Sequence, residues 1–221
     1  MISLRAASVL VAMLVATAPV QAQTTGLPTY EAGDAFVFSD GRVEQVRKVD
    51  GPVLIWGGLK GDGYMRDANF TVPVLQWRLS QGEGRRAITG HPETLWPLAE
   101  GKTSRFTVVT ETRKSSRSNW NRNLSMWSCR VGKQIPLSGR VGVFAVWPVR
   151  CDRFSASTMR LLERIEWDYA PEVGHYVRRS TTDYVGARHA TIELSTALHG
   201  RAATPGRLQA LSVQARKAAQ R

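Results

Sequence analysis

Residues 36–56 read FVFSDGRVEQVRKVDGPVLIW. Three apolar-containing runs, 36–38, 42–49 and 52–56, are separated by Asp40-Gly41 and Asp50-Gly51. Asp-Gly is a hairpin dipeptide, because glycine enters the left-handed backbone region of a tight turn without a Cβ clash. Val43, Val46 and Val49 are three apart, which alone suggests a helix. The run is short and carries a turn signal at each end, and these outweigh the spacing. The stretch therefore predicts antiparallel strands joined by hairpins.

The same punctuation extends outward. A Gly-rich loop over 57–63 leads to Tyr64 and then to an alternating run over 70–79, where Pro73 indicates an edge strand or a bulge. Residues 23–90 are expected to form a small β module, a meander or barrel, ending in a polar connection over 80–92. A larger β-rich domain over 91–200 follows. In it Phe106, Val108 and Thr110 alternate, as do Ile165, Trp167 and Tyr169, and Ile192 and Leu194 suggest a last strand. Residues 201–221 form a basic tail, helical or disordered, in which Thr204 can cap a short helix and Pro205 can start it. The fold class is mainly β, with antiparallel sheets in two modules and a short C-terminal helix.

At the N-terminus, Arg5 precedes an apolar run over 6–18, and Val20-Gln21-Ala22 offers a small-residue cleavage site. Residues 1–22 read as a secretory signal peptide, since so short a run does not span the roughly 30 Å hydrocarbon layer as a mature helix. No later stretch approaches ~18 consecutive apolar residues. The mature chain is expected to be exported, to the periplasm or the extracellular medium, without a transmembrane segment.

An oxidising compartment favours pairing of the two cysteines, Cys129 and Cys151. With period-two alternation, Cys129 shares a face with Trp127 and Val131, and Cys151 with Val143, Trp147 and Val149, so both thiols point toward apolar surfaces. Two reduced core cysteines are the alternative. A redox pair lacks the close C-x-x-C spacing. His91, His175, His189 and His199 are scattered without metal-ligand spacing, so no metal site and no cofactor is expected.

The order of features carries a family resemblance. Leu95-Trp96-Pro97-Leu98 with Gly101-Lys102, then Trp127-Ser128-Cys129-Arg130-Val131, then Gly142-Val143-Phe144 leading to Cys151, then residues 167–177 (WDYAPEVGHYV), resemble the exported bacterial β-rich proteins grouped as TapB-like. The likeness spans about residues 95–198. Gly139-Arg140-Val141-Gly142 stands where the group has a proline-alanine-glycine turn. The resemblance implies an envelope-associated β fold and brings no catalytic residues.

Charge narrows the functional classes. The chain has 221 residues, 43% hydrophobic and 22% charged, with a formal charge of +12. Residues 23–112 carry ten basic and eleven acidic side chains, whereas 113–221 carry nineteen and seven. The basic field thus belongs to the second half. Arg113, Lys114, Arg117, Arg122, Arg178 and Arg179 are the candidate anion-binding residues, with Trp120 as the tryptophan set in polar, basic surroundings. Trp56, Trp77, Trp127, Trp147 and Trp167 are in phase with aliphatic residues and read as packing.

Export and the lack of a reading motif argue against nucleic acid. The partners expected are anionic envelope components: lipopolysaccharide, phospholipid or cell-wall polymer. Lys102-Thr103 is no phosphate-binding loop, because Trp96 occupies the position of its first glycine. No G-x-S-x-G elbow occurs. The expectation is a non-catalytic binding or structural component of the envelope; the alternative is an envelope hydrolase using His175 with Glu166 or Asp168.

Overall fold

A computed structural model of the chain describes residues 26–61 and 63–220. The proposed signal peptide lies outside the described residues. Thirteen strands follow in order: β1 (Ala35–Phe38), β2 (Val43–Asp50), β3 (Val53–Gly57), β4 (Gly63–Asp67), β5 (Gln76–Leu79), β6 (Gly82–Gly90), β7 (Thr103–Arg113), β8 (Asn121–Val131), β9 (Ile135–Gly139), β10 (Gly142–Ser155), β11 (Leu161–Ala170), β12 (His175–Asp183) and β13 (Arg188–Leu198). Among the described residues one α-helix, α1 (Pro205–Ala219), follows them.

Strands β1 to β8 form a continuous antiparallel meander. β10 pairs with β8 and β11, and β13 returns to β1, so twelve strands close one barrel. β9 is the extra strand, hydrogen-bonded to the first residues of β10. The two-module expectation is corrected here. The β6–β7 pairing joins the two halves along eight residue pairs, β13–β1 joins them again, and one core cluster draws side chains from both. Each half alone is an open sheet with two unpaired edges; closure satisfies both.

Two sequence readings change for identifiable reasons. The run 70–79 is a strand only over β5, while residues 68–75 cross the barrel interior. Phe70 stacks on Tyr169 (ring centroids 5.4 Å) and lies against Trp96, Trp167 and Tyr176, which come from elsewhere on the barrel. Pro73, with no N–H to give a ladder, suits such a crossing. The connection 80–92 contains β6. Its inward positions include Gly84, Arg86 and Ile88, opposite Thr112, Thr110 and Val108. A strand facing a polar interior shows no apolar alternation to read.

The outer wall is charged. Arg164 donates to both oxygens of Asp152 (2.7 and 3.1 Å), and Arg178 donates to Asp168 (2.6 Å). On β1 both faces are buried. Phe36 and Phe38 point inward, and Ala35 and Val37 lie beneath α1 with Leu208 and Ala215. Thr204 caps the helix by accepting from the Arg207 N–H (3.4 Å), as the sequence suggests. Ser212 donates to the Gly41 carbonyl (2.5 Å) and so ties α1 to the first hairpin turn. No described helix is long and apolar enough to cross a membrane.

Cys129 and Cys151 stand directly opposite each other on β8 and β10, with Cα atoms 4.0 Å apart, and form a disulfide. The protein should show no free thiol until reduced. A Cys129→Ser/Cys151→Ser variant should lose roughly 3 kcal/mol in urea unfolding, from the loop entropy released across a separation of 22 residues. Phe70→Ala should cost about 3–5 kcal/mol, because the segment that crosses the interior would lose its anchor. An unchanged urea midpoint would show that this segment is not anchored there.

Candidate functional site

The barrel interior divides into two regions. At the end where Tyr30, the β11–β12 turn and residues 92–98 meet, aromatic side chains fill the lumen. Phe36, Trp56, Phe70, Trp96, Tyr169 and Tyr176 are all buried there. Toward the other end the lining becomes polar around a cavity of about 840 Å³. Exposed Leu79 and Asn121 are among its lining residues, so it reaches solvent at the hairpin ends.

Between floor and cavity lies a buried polar cluster. The Glu44 carboxylate accepts from the Tyr176 hydroxyl (2.8 Å) and is flanked by Arg66 (3.9 Å), Arg179 (4.0 Å) and His175 Nε2 (3.9 Å). Arg66 also donates to the Phe70 carbonyl (2.7 Å), which holds the crossing segment in place. His175 is 1% exposed and stacks on Phe36, with centroids 3.8 Å apart. Its Nδ1 is 2.8 Å from the Tyr30 hydroxyl. A proton on Nε2 faces Glu44, so the assignment that suits both contacts has the Tyr30 O–H donating to Nδ1. Burial, reinforced by the positive Arg66 and Arg179, holds the His175 pKa well below its ordinary value. Burial raises Tyr30, and burial with the nearby Glu44 pushes Tyr176 up to about 12, so both phenols stay protonated.

The hydrolase constellation does not assemble. Glu166 and Asp168 project from the outer face of β11, where Asp168 is paired with Arg178, while His175 is sealed inside. A period of two separates the faces of β11, and Trp167 on the inner one puts both carboxylates outside. Arg178 and Arg179, adjacent in sequence, are separated in the same way. Arg178 lies on the outer wall and Arg179 lines the cavity.

The basic segment caps the β7–β8 hairpin. Arg113 is paired with Glu83, and both Arg113 and Arg85 lie over the Trp120 ring, at 4.7 and 4.9 Å. Trp120 is 37% exposed. Lys114, Arg117 and Arg122 are exposed and make no ion pair among the described residues. Thr112 and Asn121, at the ends of the same strands, line the cavity. The hairpin cations and the cavity mouth therefore share one end of the barrel.

Five arginines line the cavity, Arg42, Arg66, Arg86, Arg153 and Arg179, against two glutamates, Glu44 and Glu163. Arg153 donates to Glu163 (3.0 Å). Arg86 has no carboxylate partner among the described residues. It donates to the Val74 carbonyl (2.8 Å) and to Thr110 (3.3 Å), and lies 4.4 Å from the Trp77 ring centroid. Burial, then the like charge of Arg153, lowers its pKa to about 10. The sequence reading missed Glu44, Arg66, Arg86, Arg153 and Glu163. The available signal was phase: Arg153 continues the face of Val149 and Cys151, and Glu163 that of Ile165 and Trp167. A charged side chain that prolongs an apolar strand face marks a lumen.

The buried histidine sets a pH dependence of stability. An unfolded chain protonates His175 near pH 6.5, while the folded protein resists until well below it. Over that interval the unfolded state binds more protons, so stability falls as pH drops from about 6.5 toward the folded value. The urea midpoint should therefore decrease between about pH 7 and about pH 5. In a His175→Gln variant the decrease should be smaller, and an equal decrease would remove His175 as its source.

No protein-family model matches the chain, and no curated protein does. Among solved structures, it is similar to the hypothetical lipoprotein YmcC from Escherichia coli K12. That match has a TM-score of 0.47 and 8% identity over 74% of this chain and 82% of that one. It is also similar to a protein from Bacteroides fragilis NCTC 9343, described as exported and as having a YmcC-like fold. There the TM-score is 0.39, with 11% identity over 79% of this chain and 99% of that one.

Proposed function

We propose that the chain is an exported, non-catalytic binding component of the bacterial cell envelope that contacts anionic polymers or lipids. The carrying observation is that a cluster of exposed, unpaired cations and the cavity mouth share one end of the barrel. The unpaired Lys114, Arg117 and Arg122 ring the hairpin tip beside a cavity whose arginines outnumber its carboxylates. The TapB-like resemblance of residues 95–198 and the apparent signal peptide support placing the protein in the envelope, with the periplasm as its compartment. The opposed faces of β11 and the sealed His175 leave the acid–base set that hydrolysis needs unassembled.

Exposed cations of this kind attract an anionic surface through a field that salt screens over roughly 10 Å at 0.1 M. Retention on phosphatidylglycerol vesicles or on lipopolysaccharide should therefore be strong near 0.05 M salt and fall several-fold by about 0.5 M. Changing Lys114, Arg117 and Arg122 to Ser should reduce low-salt retention to a similar degree. Retention equal to that of the native protein would overturn the assignment of contact to this hairpin.

A further inference from the structure

We infer that the barrel lumen is a binding site for an acidic saccharide, a sugar chain or sugar end that bears a carboxylate or a phosphate. The inference rests on the envelope-binding reading and names the ligand class of its cavity. At about 840 Å³ the lumen falls within the roughly 300–1,000 Å³ of small-molecule sites, with room for more than one sugar ring.

Three features of its lining specify the chemistry. The first is unbalanced charge. Glu44 is engaged by Tyr176 and Glu163 by Arg153, which leaves Arg86 half-buried, without a carboxylate and coupled to the like-charged Arg153. An anion between Arg86 and Arg153 would relieve that repulsion and take charge-assisted hydrogen bonds from their forked donors, with Arg179 adding positive charge to the same lining. The second is a pair of buried rings. Trp127 and Trp167 both line the cavity. Such rings pack against flat sugar faces. The third is the neutral wall, where Asn123 and several threonine side chains supply both donors and acceptors. A polyol uses such a wall fully, whereas an acyl chain would bury it unsatisfied.

Isothermal titration of the native protein with trigalacturonate and with glucose 1-phosphate tests the inference, with maltotriose as the neutral control. At least one acidic probe should bind, and the tighter of the two identifies the acid as carboxylate or phosphate. Maltotriose should bind at least tenfold more weakly. Arg86→Gln, which keeps donors for the Val74 carbonyl, and Arg179→Gln should each weaken binding roughly ten- to hundred-fold. Trp127→Phe should weaken it several-fold without altering any charge, with near-ultraviolet circular dichroism confirming that all three variants are folded.

The Lys114, Arg117 and Arg122 to Ser variant should bind the saccharide normally while losing vesicle retention. Absence of binding by both acidic probes, equal affinity for maltotriose, or full affinity in folded Arg86→Gln and Arg179→Gln overturns the lumen site. Native vesicle retention persisting alongside any of these results leaves the envelope reading intact, so the two fail separately.

Discussion

Closure of the sheet is the constraint from which the rest follows. Once β13 pairs with β1 and β10 with β11, the barrel strands have no free edge, and alternate side chains must share one interior. A twelve-stranded ring is wider than side chains from its own wall readily fill. The chain fills one end with large aromatic rings and with residues 68–75 drawn across the lumen. It leaves the other end as a polar cavity.

The boundary between these regions is electrostatic. Glu44 faces two arginines, a histidine and a tyrosine within a space that excludes most water. A charged carboxylate survives such burial only when it is paired and hydrogen-bonded. The same arginines serve both neighbours. Arg66 fixes the crossing segment through the Phe70 carbonyl, and Arg179 reaches the cavity. Removing water from this cluster also keeps His175 neutral, so the histidine supports the floor as an aromatic ring and hydrogen-bond acceptor rather than as a base.

Much of the strand pattern was legible because its inward residues are apolar. The hairpins around Asp40-Gly41 and Asp50-Gly51, the phase of Phe106 and Val108, the inward Cys129 and Cys151 and the capped C-terminal helix all appear in the structure, whereas Val143, in phase with Cys151, is exposed. The candidate site was legible only in part. The basic hairpin end and Trp120 stand out in sequence, whereas Arg86 lies in a stretch that reads as a polar connection. Alternation disappears where a strand faces a polar lumen, because both of its faces then carry hydrophilic side chains.

The sequence by itself determined local conformation: where the chain turns, which residues alternate, and which charges cluster at a hairpin. These depend on neighbours a few positions away. Only the tertiary structure decided that two apparent modules are one barrel, that Arg178 and Arg179 part to opposite faces, and that Glu166 and Asp168 never meet His175. Those outcomes depend on which strands pair across the closure. Such pairing sets the inside and outside of the whole ring at once, and no local window of sequence contains it.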